Sequence, residues 1–353
     1  MIKQRIAIYI PSIYDGGSER FAVVLSKGLA DRGHKVFLLT APVQQGEFIV
    51  AGNVNRIILH KNMNFVKNVM LLRRFLIENE IDVCVAVGIY PNLVSAAANV
   101  IPLRTKMILS ERNAPKQDFL SWKSRLLRRL LYRYGDAFVF QTPDARAVYS
   151  KKIQKRGVVI PNPLKDGLPK RTGICRNKIV AIGRLTPQKN YHLLLSAFAK
   201  VCKINAEYTL HIYGQGIEEQ ILKNYANELR IQDRVVFEGF YLDVHEQIKD
   251  ADIFVMTSDF EGLPNALVEA MAMGFPVIST DCPAGGPRML IQDGVNGLLI
   301  PVADKDGLVA ALMRYINNSE EKECIALRAS EISILYDANN IMDKWENLFN
   351  NIL

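Results

Sequence analysis

Apolar positions come in two periods along the chain. Short β-rich runs recur in the first half: RIAIYIPSIY, KVFLLTA, IDVCVAVGI, KMILSE and DAFVFQT. Between the first two, SERFAVVLSKGLADRGH places Phe21, Val24, Leu25, Gly28 and Leu29 at helical spacing. Apolar runs separated by helical stretches predict a parallel sheet covered on both faces. The pattern breaks at VVIPNPLKDGLPKRTG, where Pro161, Pro163, Pro169, Gly167 and Gly173 read as a linker. It then restarts. KIVAIGR, YTLHIYG, RVVFEGF, IFVMTS and PVIST read as strands, with YHLLLSAFAKVCK and IEEQILKNYANEL as helices among them. The tail from Asp337 is helical, with Ile341, Trp345, Leu348 and Phe349 on one face.

The expectation is an α/β chain of two Rossmann-like βαβ domains, at 1–162 and 163–335, followed by a terminal helix at 336–353. A cleft between two such open sheets is a natural ligand site. The longest uncharged stretch, Val83 to Leu103, could span a bilayer by length, but Gly88, Pro91, Asn92, Asn99 and Pro102 interrupt it. It reads as a buried strand followed by a buried helix. Residues 1–10 read as a first strand rather than a signal core.

Length and composition narrow the class. A chain of 353 residues, 49% hydrophobic and 23% charged, is neither disordered, collagen-like nor a disulfide miniprotein. Cys84, Cys175, Cys202, Cys282 and Cys324 form no C-x-x-C pair, which points to reduced cysteines of a cytosolic protein and to no zinc motif. Charge is uneven: residues 1–162 hold 25 Lys+Arg against 11 Asp+Glu, and 163–353 hold 19 against 25, giving the total of +8. The basic half is suited to a polyanion, a membrane surface or an anionic substrate.

Three segments could carry chemistry. In DGGSER, Asp15 to Arg20, Gly16 and Gly17 let the backbone turn tightly between a strand and a helix that Ser18 can cap. It is not G-x-G-x-x-G, so the dinucleotide fingerprint fails, and a plain capped turn would look the same. In GRLTPQKN, Arg184 and Lys189 put two cations on one strand-to-helix loop. A guanidinium fork and an ammonium suit a diphosphate, and two solvated surface charges are the alternative. In DFEGLPNALVEAMAMG a strand runs into a loop with Glu261, then a helix starting around Pro264 that carries Glu269 about two turns along. Two carboxylates beside an anion-attracting helix end fit hydroxyl recognition: Glu269 for a ribose diol, Glu261 for a sugar hydroxyl. A glycosidase pair would flank a scissile bond instead of sharing one segment.

GGSER, IPNP, GRLTPQKN, YGQG and EGLPNALVEAMAMGFPVISTD, in this order and spacing, resemble the family-four glycosyltransferases. The resemblance covers nearly the whole chain. It implies the GT-B fold, two domains facing across a cleft with the terminal helix crossing back onto the first, and retaining transfer from a nucleotide sugar. It implies no metal or other cofactor, the nucleotide sugar being a substrate. On this resemblance Arg184 and Lys189 clamp the diphosphate, Glu261 touches the donor sugar and Glu269 the ribose. The amides of Gly262, Leu263, Pro264-Asn265, Ala266 and Leu267 line the donor. Gly16 and Gly17 match the glycine loop that meets phosphate or acceptor, and Tyr213, Gly214, Gly239, Phe240 and Tyr241 lie where the family wraps the base.

Two departures stand out. Relatives often carry a histidine after the strand ending in Ser-Glu; here SERN puts Arg112 in that place. Glu111, Arg112 and Asn113 become acceptor or phosphate candidates, and no catalytic histidine is assigned. DCPAGGPRMLI differs from the family's CPSGPREIL by an extra small residue and by Met289 in place of an acid, with Arg288 retained.

WKSRLLRRLLYR, Trp122 to Arg133, sets Leu126, Leu127, Leu130 and Leu131 against Lys123, Arg125, Arg128, Arg129 and Arg133. It reads either as a basic amphipathic helix on an anionic membrane surface or as an ordinary helix whose leucines pack on the sheet. The expected activity is transfer of a hexose or N-acetylhexosamine from a UDP-sugar to a lipid-linked or surface-polysaccharide glycan, such as that of an O-antigen or similar polymer, by an enzyme peripheral at the cytoplasmic face of the inner membrane. Alternatives are a nucleotide-sugar epimerase of similar fold and a basic polyanion-binding module. A phosphorylase would need a pyridoxal lysine motif, and a nucleic-acid reader would leave Glu261 and Glu269 unexplained; no nucleic-acid partner is expected.

Overall fold

The computed structural model describes residues 3–14, 16–42, 47–59, 64–112, 122–172 and 177–353, with backbone alone for Trp122 and Lys123. Asp15, His60, Asn113, Gly173 and Cys175 lie outside the described residues. The chain divides into two compact units, Met1–Pro163 with Asp337–Leu353, and Leu164–Tyr336.

The first unit holds a seven-stranded sheet: β1 (Arg5–Tyr9), β2 (Lys35–Thr40), β3 (Asn55–Ile58), β4 (Val83–Val87), β5 (Lys106–Ser110), β6 (Ala137–Phe140) and β7 (Gly157–Val159). Their order is β3-β2-β1-β4-β5-β6-β7, every neighbouring pair parallel. One face packs Ile6, Ile8, Val85 and Val139 against the helix Gly17–Asp31 and the terminal helix Ala338–Ile352. Trp345 and Phe349 are fully buried there, and Gly28 allows the close crossing, since a Cβ on it would stand 2.7 Å from Met342 Sδ. Glu346 anchors the same helix through Arg32 and through His34 Nε2 at 2.9 Å.

The second unit holds β8 (Lys178–Ile182), β9 (Thr209–Tyr213), β10 (Val235–Gly239), β11 (Ile253–Met256), β12 (Val277–Thr280) and β13 (Leu298–Ile300), again all parallel, in the order β10-β9-β8-β11-β12-β13. The helix Tyr191–Ile204 supplies Leu194, Leu195 and Phe198 to one face, and the helix Asn265–Met273 supplies Leu267, Val268 and Met271 to the other. Leu164 and Tyr336, the first and last residues of this unit, lie side by side: Leu164 N–H donates to Tyr336 O at 2.9 Å.

Both halves are therefore doubly wound α/β sheets of the expected class. Val83 to Leu103 forms β4 and the helix Ile89–Ala98, and among the described residues no helix is long and apolar enough to cross a membrane. Edge strands β3, β7 and β13 were not foreseen from the pattern; at three or four residues each carries too few positions to show a period. Gly16, not Ser18, is the cap residue of the helix Gly17–Asp31.

Candidate functional site

In the second unit β8 lies between β9 and β11, so the strand order reverses beside it. In an open parallel sheet this is where loops diverge and leave room for a ligand at the carboxyl ends of the strands. The loop after β8, 183–190, and the loop after β11, 257–264, emerge there and are stitched together. Gln188 Nε2 donates to Phe260 O at 2.9 Å, Asp259 N–H to Gln188 O at 2.8 Å, and Asn190 Nδ2 to Asp259 Oδ1 at 2.8 Å. Thr257 Oγ1 reaches Lys189 O at 3.0 Å. Asn190, in left-handed backbone, also caps the helix Tyr191–Ile204 by accepting from Leu193 N–H.

Lys189 and Glu261 meet directly: Nζ stands 2.5 Å from Oε1, and Ser258 Oγ donates to the same oxygen at 2.9 Å. The negative charge on Glu261 reaches its buried neighbours. Burial first, then Glu261, pushes the Cys282 thiol up to about 12 and raises the Tyr191 phenol. Arg184 behaves differently. It is exposed, and among the described residues its guanidinium makes no side-chain hydrogen bond or ion pair.

A third segment closes the loop from below. Glu261 N–H donates to Pro283 O and Ala284 N–H to Glu261 O, each at 2.6 Å. A Cβ on Gly286 would stand 1.9 Å from Gly262 O and 2.7 Å from Pro264 Cδ, so only glycine permits this approach. The helix that follows starts at Asn265, with Pro264 as its cap residue instead of its first turn and, among the described residues, no side-chain cap hydrogen bond. Its amino end keeps the partial positive charge of an uncapped helix. The side chains of Leu263 and Leu267 are buried in the core, which leaves their backbone as the part that can face a ligand. Glu269 is the fifth residue of this helix, one turn in, where two were expected.

At the ends of β9 and β10, Gly214 N–H donates to Gly239 O at 2.8 Å, and both glycines have positive φ. A Cβ on Gly214 would stand 2.0 Å from Gly183 O. Tyr213 is buried, meeting the Tyr241 ring edge-on at 5.9 Å and accepting from Lys178 Nζ at 3.1 Å. Phe240 and Leu242 are exposed beside them. Arg184, Lys189, Glu261, Gly262 to Leu267, Glu269, Tyr213, Gly214, Gly239 and Phe240 thus share the carboxyl edge of one sheet. Arg288, by contrast, pairs with Asp281 at 2.7 Å.

Sequence reading passed over Ser258, Asn190 and His245, which support the named residues from behind. Asn190 directly before an apolar helical run was the one visible cue. His245 Nε2 lies 2.9 Å from Glu269 Oε2, both buried.

The remaining candidates belong to the first unit. Gly16 and Gly17 open the helix after β1. Glu111 and Arg112 follow β5 and are both buried. Glu111 Oε1 accepts from Asn92 Nδ2 at 3.2 Å and from the Tyr132 hydroxyl. Arg112 stacks 3.6 Å above the Phe21 ring and donates to Ser110 Oγ at 2.8 Å and Asn162 Oδ1 at 3.0 Å; burial lowers it to about 9. On the helix Trp122–Leu131 three of the four leucines stay partly exposed, Leu126 at 50%, Leu127 at 36% and Leu130 at 48%, while Leu131 is half-buried; Arg125 and Arg129 are also exposed.

Similarity to known proteins agrees with this layout. The family model for glycosyl transferases group 1 matches residues 170–331, and that for Glycosyltransferase Family 4 matches residues 15–166. An uncharacterized glycosyltransferase of Haemophilus influenzae is 27% identical, over 98% of this chain and 99% of its own. The lipopolysaccharide core biosynthesis glycosyltransferase LpsE of Rhizobium meliloti is 27% identical over 90% of each. Among solved structures, HepE of Anabaena in complex with UDP superposes with a TM-score of 0.82 at 20% identity, covering 99% of this chain and 100% of that one. The two family matches fall on the two units and together span most of the sequence: this chain belongs to glycosyltransferase family 4 and has the GT-B fold.

Proposed function

We propose that the protein transfers a hexose or N-acetylhexosamine from a UDP-sugar to a lipid-linked or surface-polysaccharide glycan, with retention at the anomeric carbon. The observation that carries the reading is the convergence of Arg184, Lys189 and an uncapped helix end at the switch point of the second sheet. A departing nucleoside diphosphate gains negative charge, and prepositioned cations and dipoles that meet this charge lower the barrier. Arg184 is free to fork onto two phosphate oxygens. Lys189 has three donors, so it can hold Glu261 with one and a phosphate oxygen with another.

Glu261, fixed by Lys189 and Ser258, then accepts a hydroxyl of the donor sugar, and Glu269 accepts the ribose diol. Its two anchored hydrogen bonds favour a binding role for Glu261 over a nucleophilic one. On this reading the acceptor hydroxyl attacks from the face the diphosphate leaves. The anomeric C–O bond to phosphate breaks as the bond to the acceptor oxygen forms, and the acceptor proton passes to a departing phosphate oxygen. Positive charge comes from the protein, and no cofactor is assigned.

The first unit takes the acceptor side. Its excess of basic residues and the outward leucines of Trp122–Leu131 support contact with an anionic bilayer carrying the acceptor, at the cytoplasmic face of the inner membrane. LpsE, by its name, acts in lipopolysaccharide core biosynthesis, a related kind of acceptor.

The test is incubation with UDP-glucose, UDP-galactose, UDP-N-acetylglucosamine and UDP-N-acetylgalactosamine, each with and without a polyprenyl-diphosphate glycan. The expected result is UDP release that requires the acceptor, with a product of the donor's anomeric configuration. Release of a free, altered sugar without acceptor would establish the epimerase reading instead.

A further inference from the structure

His245 has no role in the reading so far, yet it is buried against the residue assigned to the ribose. It stands second in the short helix Val244–Ile248, which follows β10 and the exposed Phe240–Leu242 loop. Its side chain is 6% exposed and that of Glu269 7%, with Nε2 and Oε2 2.9 Å apart. Nδ1 is also buried and, among the described residues, makes no hydrogen bond; the Asp243 carboxylate stands 3.9 Å from it, itself paired with Lys165 at 2.8 Å. A neutral imidazole carries one N–H, and a buried N–H with no acceptor is costly. A proton therefore belongs on Nε2, where the Glu269 carboxylate accepts it.

We propose that His245 is a positioning residue for Glu269: its Nε2–H fixes the carboxylate in the orientation that receives the ribose hydroxyls of the donor. The pair joins two segments of different origin, the turn after β10 on the base side and the helix after β11 on the phosphate side. A carboxylate one turn into a helix has several rotamers, and holding one of them before binding removes an ordering cost from donor association. The effect falls on affinity for the nucleotide portion and not on the bond-making step, because His245 touches neither sugar nor diphosphate in this arrangement.

The inference rests on the reading of Glu269 as the ribose ligand, and the experiment separates the two. Initial rates are measured against UDP-sugar concentration for wild type, His245→Phe, His245→Gln, Glu269→Gln and the double variant His245→Phe/Glu269→Gln, with melting temperatures for each. Loss of one hydrogen bond to a charged group corresponds to roughly a tenfold rise in donor KM, which is expected for His245→Phe with kcat within about twofold. His245→Gln, whose amide N–H can replace Nε2–H, recovers most of the loss. In the double variant His245→Phe adds nothing to Glu269→Gln. Should His245→Phe fail to fold, His245→Met carries the same comparison. A raised KM for Glu269→Gln with wild-type KM for His245→Phe, or effects that simply add, overturns the inference. Wild-type KM for Glu269→Gln overturns the ribose reading and the inference with it.

Discussion

Lys189 Nζ lies 2.5 Å from Glu261 Oε1, although the residues are 72 positions apart and belong to loops after different strands. Each is mostly buried, at 17% and 11% side-chain exposure, so neither charge is well hydrated without the other. Arg184, on the same loop as Lys189, has no such partner among the described residues.

The contrast separates binding from folding. Lys189→Met strips a buried carboxylate of its cation and costs about 1–3 kcal/mol of stability. Turnover falls by roughly two to three orders of magnitude. Arg184→Ala lowers turnover by roughly a hundredfold, with stability within about 0.5 kcal/mol of wild type because its head group is solvated. Urea unfolding beside steady-state kinetics checks both. Equal destabilisation by the two substitutions would contradict the geometry.

The Gly286 approach is a second point of strain. Gly286→Ala forces a methyl group onto Gly262 O, and the loop carrying Glu261 must shift. Overpacking of this kind costs about 1–3 kcal/mol. The expected result is a lower melting temperature together with a weakened donor affinity, whereas an alanine variant with unchanged affinity would show that the loop has slack.

How far the sequence reaches is clear from these residues. Apolar runs of four or five residues located β1, β2, β4 and β8 because burial on both faces writes itself into composition. The spacing of Arg184, Lys189, Glu261 and Glu269 was visible since one loop and one helix hold each pair. What side chains do across elements was not. Nothing local signals that Lys189 meets Glu261, that His245 meets Glu269, or that Arg112 is enclosed beside Phe21 and Trp345. Cap positions also escaped: the first helix is capped at Gly16, two residues before Ser18, and Pro264 stands one residue before the helix it was expected to open.

The helix Trp122–Leu131 makes its own forecast. Leu126, Leu127 and Leu130 stay half exposed on the folded unit, so they contribute less to folding than fully buried leucines do. Replacing Leu126, Leu127 and Leu130 together by serine should lower the melting temperature only slightly. Sedimentation with phosphatidylglycerol-rich vesicles should be lost, because the apolar face supplies the insertion energy and the arginines the attraction. A large drop in melting temperature with full vesicle binding would assign the leucines to a packing surface.

Thiol chemistry reports on the wall of the site. Burial pushes Cys84 and Cys282 up to about 12, Cys282 with help from Glu261, so at pH 8 only roughly one in ten thousand of each is thiolate. Iodoacetamide at pH 8 should modify exposed Cys324 and spare both of them in the native protein. Peptide mapping by mass spectrometry distinguishes the sites, and modification of Cys282 at the rate of Cys324 would contradict a closed wall beneath Glu261.

The most direct measurement is a crystal structure with a UDP-sugar bound. The account predicts the diphosphate within hydrogen-bonding distance of Arg184, Lys189 and the amino end of Asn265–Met273, with the ribose on Glu269 and the hexose on Glu261. Nucleotide density at any other place in the second unit, with Lys189 and Glu261 untouched, would contradict it.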